Sequence, residues 1–241
     1  MSHLKKEVNR LVGRSIHRFG LLSHGDRILV AVSGGADSLL ALYFLRQWQK
    51  KAPITFTILP VHLDMGFDGQ TKEVLRGHFT KTGLSYHIED TNYGLLAHSD
   101  FNRKKSPCFL CAMLRRKRLF ELSHAFGCNK LCLGHNADDL IETFFLNMLY
   151  SGELSTMLPR QEMFKGMITI IRPLGLCTKD KIKALARELR LPVFKNPCPS
   201  AHKTKRMEIR LLLKEIYRIH PNAHRLILKA LSNVRREYLL G

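Results

Sequence analysis

The sequence lacks any long apolar run and is poor in acidic residues. No segment approaches the roughly 18 consecutive apolar residues that suggest a membrane span, and the beginning of the chain shows neither a secretory nor a myristoylation signal. We therefore expect a cytoplasmic protein with no membrane partner. Lys and Arg number 39 against 20 Asp and Glu. The resulting net charge of +19 favours a polyanionic partner, above all nucleic acid.

Two common nucleotide-binding motifs are absent as well. The sequence contains no Gly-x4-Gly-Lys-Ser/Thr, which excludes a Walker-type NTPase, and no Gly-x-Gly-x-x-Gly. A disulfide framework is not expected either, because the chain is long and shows no signal peptide. In a reducing compartment, a Cys-x-x-Cys pair indicates metal binding or redox activity.

Apolar segments alternate with helical patterns along most of the chain. We predict five strands, at residues 28–32, 56–63, 85–89, 130–134 and 167–174, and helices that include residues 70–82, 108–126 and 178–190. Strands that alternate with helices form a mostly parallel sheet through right-handed crossovers. The predicted fold class is therefore α/β, with a doubly wound, mostly parallel five-stranded sheet.

Composition divides the chain into three predicted parts. An N-terminal helix at residues 1–27 precedes the α/β domain at residues 28–197, and residues 198–241 form a basic helical extension. Residues 202–241 contain ten Lys or Arg and three Glu. Four of these cations follow closely after Cys198 and could hold RNA; they are Lys203, Lys205, Arg206 and Arg210.

The loop after the first strand has the features of a phosphate site. Residues 33–38 (SGGADS) lie between a buried strand and a helix start, where backbone N–H groups and the helix dipole favour an anion. Gly34 and Gly35 allow a phosphate to approach closely, and the Ser33 and Ser38 hydroxyls add donors. Asp37 fits a Mg²⁺ bridge or a helix cap. A turn selected only for its geometry is the alternative.

Two further loops should meet this one at the carboxyl edge of the sheet, where doubly wound folds bind ligands. Asp64 ends the second strand and could contact a ribose, help to hold Mg²⁺ or cap its own loop. His62 is either a half-buried histidine or a ligand contact. Asp138 and Asp139 begin the helix after the fourth strand, where one can be an N-cap and the pair suits Mg²⁺ or substrate activation.

Three cysteines form a candidate metal site. Cys108 and Cys111 are three apart at a helix start, so their sulfurs can face one centre, and the helix N-terminus with nearby cations should lower their pKa. Cys198, between two prolines, is our third candidate ligand. Three thiolates suit an iron–sulfur cluster with one open iron. A redox dithiol, or a zinc site completed by a histidine such as His202, remains an alternative.

The remaining cysteines and the cations beside the Cys-x-x-Cys pair have simpler interpretations. Cys128, Cys132 and Cys177 lie in or beside predicted strands, where cysteine is usually a small buried side chain. Arg115 and Arg116 could neutralise phosphate, or belong to a solvated basic face. Residues 103–120 contain seven Lys or Arg and no acid, so RNA backbone binding could explain part of this run.

These motifs together carry a family resemblance. Residues 33–38 resemble the PP-loop of the N-type ATP pyrophosphatases, which cleave ATP to AMP and pyrophosphate while adenylating a substrate oxygen. Combined with the three cysteines, with residues 134–139 (GHNADD) and with residues 172–174 (RPL), the chain resembles the tRNA 2-thiocytidine synthetase family over roughly residues 25–235. Position 36 is Ala where that family usually has Lys.

The resemblance implies a Rossmann-like PP-loop fold and ATP-dependent thiolation of a tRNA base at C2, with cytidine expected. It implies ATP, Mg²⁺ and a [4Fe–4S] cluster held by Cys108, Cys111 and Cys198. Catalytic roles are expected for Asp37, Asp139 and Arg115, with Asp138 as the helix cap. The expected cofactor-binding residues are Ser33, Gly34, Gly35, Asp37, Ser38, Asp64, Gly134 and His135.

The expected partners are tRNA and a sulfur donor, either sulfide or a cysteine desulfurase persulfide. The sequence leaves open whether the protein forms a homodimer. Two other activities remain alternatives at this stage: adenylation of the lysidine synthetase type without a cluster, and sulfur transfer to a small molecule.

Overall fold

The computed structural model describes residues 2–67, 69–102, 106–200 and 204–240. Its sheet contains β1 (Arg27–Ala31), β2 (Thr57–Asp64), β3 (His87–Asp90), β4 (Lys130–Cys132), β5 (Arg160–Met163) and β6 (Ile168–Ile171). The strand order is β3-β2-β1-β4-β6-β5, and neighbours are parallel except for the antiparallel pair β5 and β6. The predicted α/β class and mostly parallel sheet are confirmed.

Helices cover both faces of the sheet. The described helices are α1 (His3–Phe19), α2 (Ala36–Lys51), α3 (Gln70–Thr82), α4 (Tyr93–His98), α5 (Pro107–Ala125), α6 (Ala137–Ser151), α7 (Lys179–Glu188), α8 (Lys205–Ile219) and α9 (Ala223–Ala230). Because side chains alternate along a strand, Ile28 and Val30 join one core cluster with α1, α2 and α7, and Leu29 joins another with α5. None of the described helices is long and apolar enough to cross a membrane.

One strand was missed by the sequence analysis, which predicted five rather than six. The missed strand is β5, with the sequence Arg-Gln-Glu-Met, in which exposed and half-buried positions alternate. It is an edge strand and carries charge, as edge strands commonly do. A short polar segment of this kind has no apolar pattern to identify it. The predicted strand at 167–174 is correspondingly shorter, and its last residues form the turn that follows β6.

The C-terminal helices pack onto α6 through a small core of Ile141, Ile209 and Leu213. Arg210 Nε donates to Glu142 Oε1 at 2.5 Å, and Arg206 Nη1 lies 3.5 Å from Glu142 Oε2. These two arginines thus neutralise a buried carboxylate of α6, and the RNA contact expected for them stays a prediction. Lys203 and His202 lie outside the described residues, and the domain limits at 28 and 198 stay predictions.

A buried ion pair joins β1 and β4 at their amino ends. Lys130 Nζ lies 2.6 Å from Asp26 Oδ2, and both side chains are under 10 % exposed, at 7 % and 3 %. Asp26 also accepts from Ser23 N at 2.6 Å and from Asn129 Nδ2 at 2.9 Å. Lys130 donates further to the Leu21 carbonyl oxygen at 2.8 Å. Every charged atom in this pair is satisfied, so the pair fixes how the two strands sit side by side.

We predict that Asp26→Ala lowers the free energy of unfolding by about 3–5 kcal/mol, because it leaves the Lys130 ammonium buried without a counter-charge. Urea unfolding monitored by circular dichroism measures this change. Glu215→Ala removes the exposed ion pair with Arg218 and is the matched control, with an expected loss below about 1 kcal/mol. Equal losses in the two variants would contradict the prediction.

Candidate active site

The loop after β1 is organised around two serines. Ser38 Oγ accepts from Ser33 N at 3.1 Å and donates to the Gly35 carbonyl oxygen at 2.9 Å. Gly34 has φ +84°, a left-handed conformation that favours glycine, and a Cβ there would lie 2.9 Å from Thr71 Cγ2. Gly35 caps α2 without a side chain, so the N–H groups of the first turn remain available to an anion.

The loop after β4 packs directly against this helix start. A Cβ at Gly134 would lie 2.7 Å from Ser38 N and 2.8 Å from the Asp37 carbonyl carbon, so only glycine fits there. Asn136 Nδ2 donates to Asp37 Oδ1 at 2.6 Å. The loops after β1 and β4, which are far apart in sequence, therefore form one surface at the point where the strand order reverses.

The two adjacent aspartates do not divide their roles as the sequence analysis expected. The N-cap of α6 is Asn136, and Asp139 completes its capping box: Asp139 Oδ2 accepts from Asn136 N, and Asn136 Oδ1 from Asp139 N, both at 3.1 Å. Asp138 instead accepts from Lys179 N at 2.8 Å, at the start of α7. Asp138 was thus wrongly predicted as the cap of α6, because Asn136 occupies the cap position and the Asp138 carboxylate accepts from the start of α7 instead.

Asp37 and Asp139 lie close enough to repel each other. Burial raises the pKa of the Asp37 carboxyl, and the Asp139 charge raises it further, while the Asn136 hydrogen bond lowers it. Carboxylate oxygen is the preferred ligand of Mg²⁺, so these two aspartates are the candidates for the Mg²⁺ expected from the sequence, and Asp139 Oδ1 also lies 3.6 Å from Arg206 Nη1.

Asp64 and His62 belong to the end of β2. Asp64 is buried, and its Oδ1 accepts from Gly66 N at 2.7 Å, which is the loop-capping role considered above. His62 Nδ1 lies 2.7 Å from the Val32 carbonyl oxygen, beside the PP-loop. Its Nε2 is buried and has no hydrogen-bond partner among the described residues. Burial also lowers the pKa of His62. The neutral ring therefore presents an unsatisfied acceptor next to the loop.

His135 is oriented by a buried arginine. Arg172 Nε donates to His135 Nδ1 at 3.2 Å, which leaves the ring proton on Nε2. Arg172 also donates to the Leu158 carbonyl oxygen and to Gln161 Oε1, so the missed strand β5 helps to hold it. Burial, followed by the Arg172 charge, lowers the pKa of His135 to about 4. Burial and the Arg116 charge lower the pKa of Arg172 to about 10.

The three candidate metal ligands come together from distant parts of the chain. Cys108 and Cys111 lie in the first turn of α5, whose N-cap Ser106 Oγ accepts from Phe109 N. The charge of an ionised Cys198 raises the pKa of both thiols. Cys111 Sγ lies 3.8 Å from Met65 Sδ, just beyond β2. The site therefore borders the same carboxyl edge as the PP-loop. Among the described residues, no group of three or more His, Cys, Asp or Glu side chains is arranged to hold a single metal ion.

A segment at residues 192–200 connects this cysteine site to the PP-loop. Phe194 N donates to the Gly34 carbonyl oxygen at 2.9 Å, and the Phe194 side chain contacts the space above Gly34. Four residues later the same segment supplies Cys198. We call residues 192–200 the strap. Its backbone hydrogen bond ties the position of Cys198 to that of the PP-loop.

The thiol pKa values differ from the expectation. Burial raises the pKa of Cys108 and Cys111, and the neighbouring cysteines raise it further, although Arg115 opposes this at Cys111. The predicted lowering by cations and the helix start was wrong because desolvation outweighs both. Cys128, Cys132 and Cys177 are buried, as expected.

A histidine that the sequence analysis did not identify lies beside Cys198. His98 Nε2 is 3.9 Å from Cys198 Sγ and 2.8 Å from Ser200 Oγ, and His98 Nδ1 is 2.8 Å from the Gly94 carbonyl oxygen. Phe67 packs edge-on against the ring, with centroids 5.6 Å apart. Nothing in the sequence pointed to His98, because it stands ten residues before Cys108 in a short helix without a motif.

Arg115 lies between the two halves of the site. Its charge lowers the pKa of Cys111 and of His135, and its side chain is exposed. The catalytic role assigned to it stays a prediction, as do the roles of the other site residues. What the structure adds is their common location at the carboxyl edge of β1, β2 and β4.

Comparisons with known proteins agree with this arrangement. Residues 2–216 match the family model described as a PP-loop domain. A tRNA-cytidine(32) 2-sulfurtransferase of Geobacter sulfurreducens is 38% identical over 98% of this chain and 92% of its own length. The protein of that name from Azotobacter vinelandii is 35% identical over 98% of this chain and 86% of its own.

Solved structures show the same fold. The U34-tRNA thiolase NcsA from Methanococcus maripaludis, determined with its [4Fe-4S] cluster, superposes with a TM-score of 0.79 at 24% identity, covering 99% of this chain and 80% of its own. An NH3-dependent NAD synthetase from Campylobacter jejuni superposes with a TM-score of 0.54 at 16% identity, covering 99% and 95%. By the match to the PP-loop model and the extent of its likeness to the curated relatives, this chain belongs to the PP-loop family and, within it, to the tRNA 2-thiocytidine synthetase family.

Proposed function

We propose that this protein is an ATP-dependent tRNA sulfurtransferase that adenylates the C2 oxygen of a base, cytidine by its relatives' names, and replaces it with sulfur. One observation carries the proposal: the strap, whose Phe194 N–H is hydrogen-bonded to the PP-loop, also carries Cys198, and the charge of an ionised Cys198 raises the pKa of Cys108 and Cys111. A nucleotide-activating loop and a three-thiol site then share one edge of the sheet, as a reaction with an adenylation step and a sulfur step requires.

The loop residues fit ATP. The cradle at Gly34 and Gly134 has no room for a Cβ, the first turn of α2 offers N–H donors, and His62 Nε2 is an orphaned buried acceptor beside the loop. We assign the phosphates to residues 33–38 and the adenosine to the end of β2 near Asp64, with Gly134 and His135 closing the other side. Asp37 is our Mg²⁺ ligand, since a divalent cation relieves its repulsion with Asp139.

The cysteine site fits an iron–sulfur cluster better than a single ion. Cys108, Cys111 and Cys198 are three free thiols, whereas a structural zinc site needs four ligands in close tetrahedral contact. Cys108, Cys111 and Cys198 would hold a [4Fe–4S] cluster whose fourth iron lacks a cysteine and can bind sulfide. The M. maripaludis thiolase, which has the same fold, was determined with its [4Fe-4S] cluster.

The remaining residues orient the reacting groups. His135, neutral and with its proton on Nε2, can donate a hydrogen bond, and the exposed Arg115 guanidinium can pair with phosphate oxygens. The C2 oxygen of the base attacks the α-phosphate of ATP, and pyrophosphate leaves. Sulfide then attacks C2, and AMP departs with the original oxygen. The base must be unpaired to reach the site, which costs least in a loop of the tRNA.

The cysteine assignment predicts the metal content. Wild-type protein purified without oxygen should contain about four irons and matching acid-labile sulfide per chain, and Cys108→Ala, Cys111→Ala and Cys198→Ala should each lose them. Cys128→Ala removes a buried thiol away from the site and should retain them. Zinc, or no metal, in strictly anaerobic wild-type protein would exclude the cluster and favour lysidine-type adenylation instead.

The loop assignment predicts a loss of ATP cleavage. Asp37→Asn keeps the size of the side chain but removes the charge, so tRNA-dependent release of AMP and pyrophosphate should fall by about 10- to 100-fold. The control is Asp180→Asn, which changes an exposed aspartate in the first turn of another helix, α7. Unchanged turnover in Asp37→Asn would remove this residue from the ATP site.

The His135 environment predicts a pH dependence of stability. The ring has its pKa lowered from 6.5 to about 4 in the fold, so the unfolded chain binds the proton first as the pH falls. Stability should therefore decrease from about pH 6.5 towards pH 4 because of this residue. Urea unfolding across this range should show a smaller decrease for His135→Gln than for wild type. Parallel curves would show that the ring protonates normally.

A further inference from the structure

An apolar groove beside the cysteine site has no role in the proposed reaction. It has a volume of about 490 Å³ and lies between α5 and the 3₁₀ turn at residues 164–166. Its walls are formed by Phe109, Ala112, Met113, Arg116, Lys117, Phe120, Glu121 and Phe164. We call these eight residues the α5 groove. The spacing of the α5 members, three or four residues apart, places them on one helix face.

The aromatic residues of the α5 groove are unusually open to solvent. Phe109 is 55% exposed and Phe164 is 50% exposed, and Met113 between them is 42% exposed. Phe120 supports Phe164 from the side, with ring centroids 5.0 Å apart and planes at 88°. This edge-on contact leaves the faces of the Phe164 ring uncovered by Phe120. Exposed apolar surface of this kind, with a polar rim, marks binding sites.

The backbone also holds Phe164 in an uncommon position. Phe164 has φ +52° and Lys165 has φ +57°, both in the left-handed region that residues with a side chain seldom adopt. Two such residues in succession turn the chain sharply between β5 and β6 and direct the ring towards α5. Positive φ values are common in the turns of β-hairpins, and β5 and β6 form such an antiparallel pair.

The charges around the α5 groove select an anionic partner. Arg116 has no carboxylate partner among the described residues, and its charge lowers the pKa of the buried Arg172. Lys117 is weakly paired with Glu121, at 3.9 Å. With a net charge of +19, a second copy of this chain is repelled at long range, whereas a polyanion is attracted. Aromatic faces combined with an unpaired arginine are how proteins hold single-stranded nucleic acid.

We propose that the α5 groove binds an unpaired base of the RNA substrate, stacked on Phe164, with Arg116 at the adjoining phosphate. The inference rests on the proposed function and adds a second base contact, separate from the base that reacts. At 1.5 Å per residue, Phe120 lies about 13 Å along α5 from Cys111, or about four stacked nucleotides at 3.4 Å each. A neighbour of the reacting nucleotide in the same loop can therefore reach the groove.

The test measures binding without turnover. The probe is an RNA hairpin of an anticodon stem and loop, compared with hairpins in which one loop nucleotide at a time is abasic. For wild type, one abasic position near the reacting nucleotide should weaken binding about tenfold, within the range reported for stacking one base on an aromatic side chain. Phe164→Ala should weaken binding of the intact hairpin by a similar factor, and in this variant the abasic penalty at that position should vanish.

Control variants separate the ring from its surroundings. Met167→Ala changes a side chain of the same turn that is 72% exposed and does not line the α5 groove, and it should bind every hairpin as wild type does. Phe164→Tyr should retain the abasic penalty and Phe164→Leu should lose it. Urea midpoints equal to that of wild type verify folding. Arg116→Gln should weaken all hairpins alike and lower the salt dependence of binding.

Several results would overturn the inference. The abasic penalty could persist in Phe164→Ala, or Met167→Ala could lose as much affinity as Phe164→Ala. A change from dimer to monomer in Phe164→Ala during sedimentation, with RNA binding intact, would identify the groove as a surface between copies of the chain. If wild type binds no hairpin, the proposed function fails together with the inference. If wild type thiolates tRNA but the abasic penalty at every position is the same in wild type and in Phe164→Ala, only the inference fails.

Discussion

The contact between the loops after β1 and β4 is the constraint on which the site depends. The Asn136 amide donates to the Asp37 carboxylate, and Gly134 lies so close to Ser38 N that no larger residue fits. This contact requires β1 and β4 to be neighbours in a fixed register. At the opposite ends of the same strands, the buried Asp26–Lys130 pair maintains that register. The chemistry at one edge of the sheet is therefore supported by electrostatics at the other.

The strap connects the two halves of the site, the PP-loop and the cysteine site. The hydrogen bond from Phe194 N to the Gly34 carbonyl oxygen lies only four residues from Cys198. A short length of backbone thereby ties the position of one of the three thiols to that of the PP-loop. His98 restrains the same segment from the other side through Ser200 and Cys198. The cysteine site is therefore defined by the strap as much as by α5.

The sequence was sufficient for those features that depend on local order. Buried parallel strands appear as apolar runs, and the PP-loop and the Cys-x-x-Cys pair are contiguous, so the fold class and the cysteine pair could be predicted. Features set by tertiary contacts could not. Edge strand β5 is polar, the role of Asp138 depends on where α7 begins, and His98 reaches Cys198 only because α4 and the strap meet. The thiol pKa values depend on burial, which no motif encodes.

The same tertiary dependence bears on Ala36, the position at which the resemblance led us to expect lysine. Residues 33–38 contain no cation, yet a positive side chain acts on Asp37: the charge of Lys179 lowers the pKa of that carboxyl against the effect of burial. Lys179 begins α7, and its backbone N–H is fixed by Asp138. Asp138 therefore contributes to the electrostatics of the PP-loop through the helix whose start it holds. In space, Lys179, a cation about 140 positions later in the chain, therefore acts on the carboxylate of this loop.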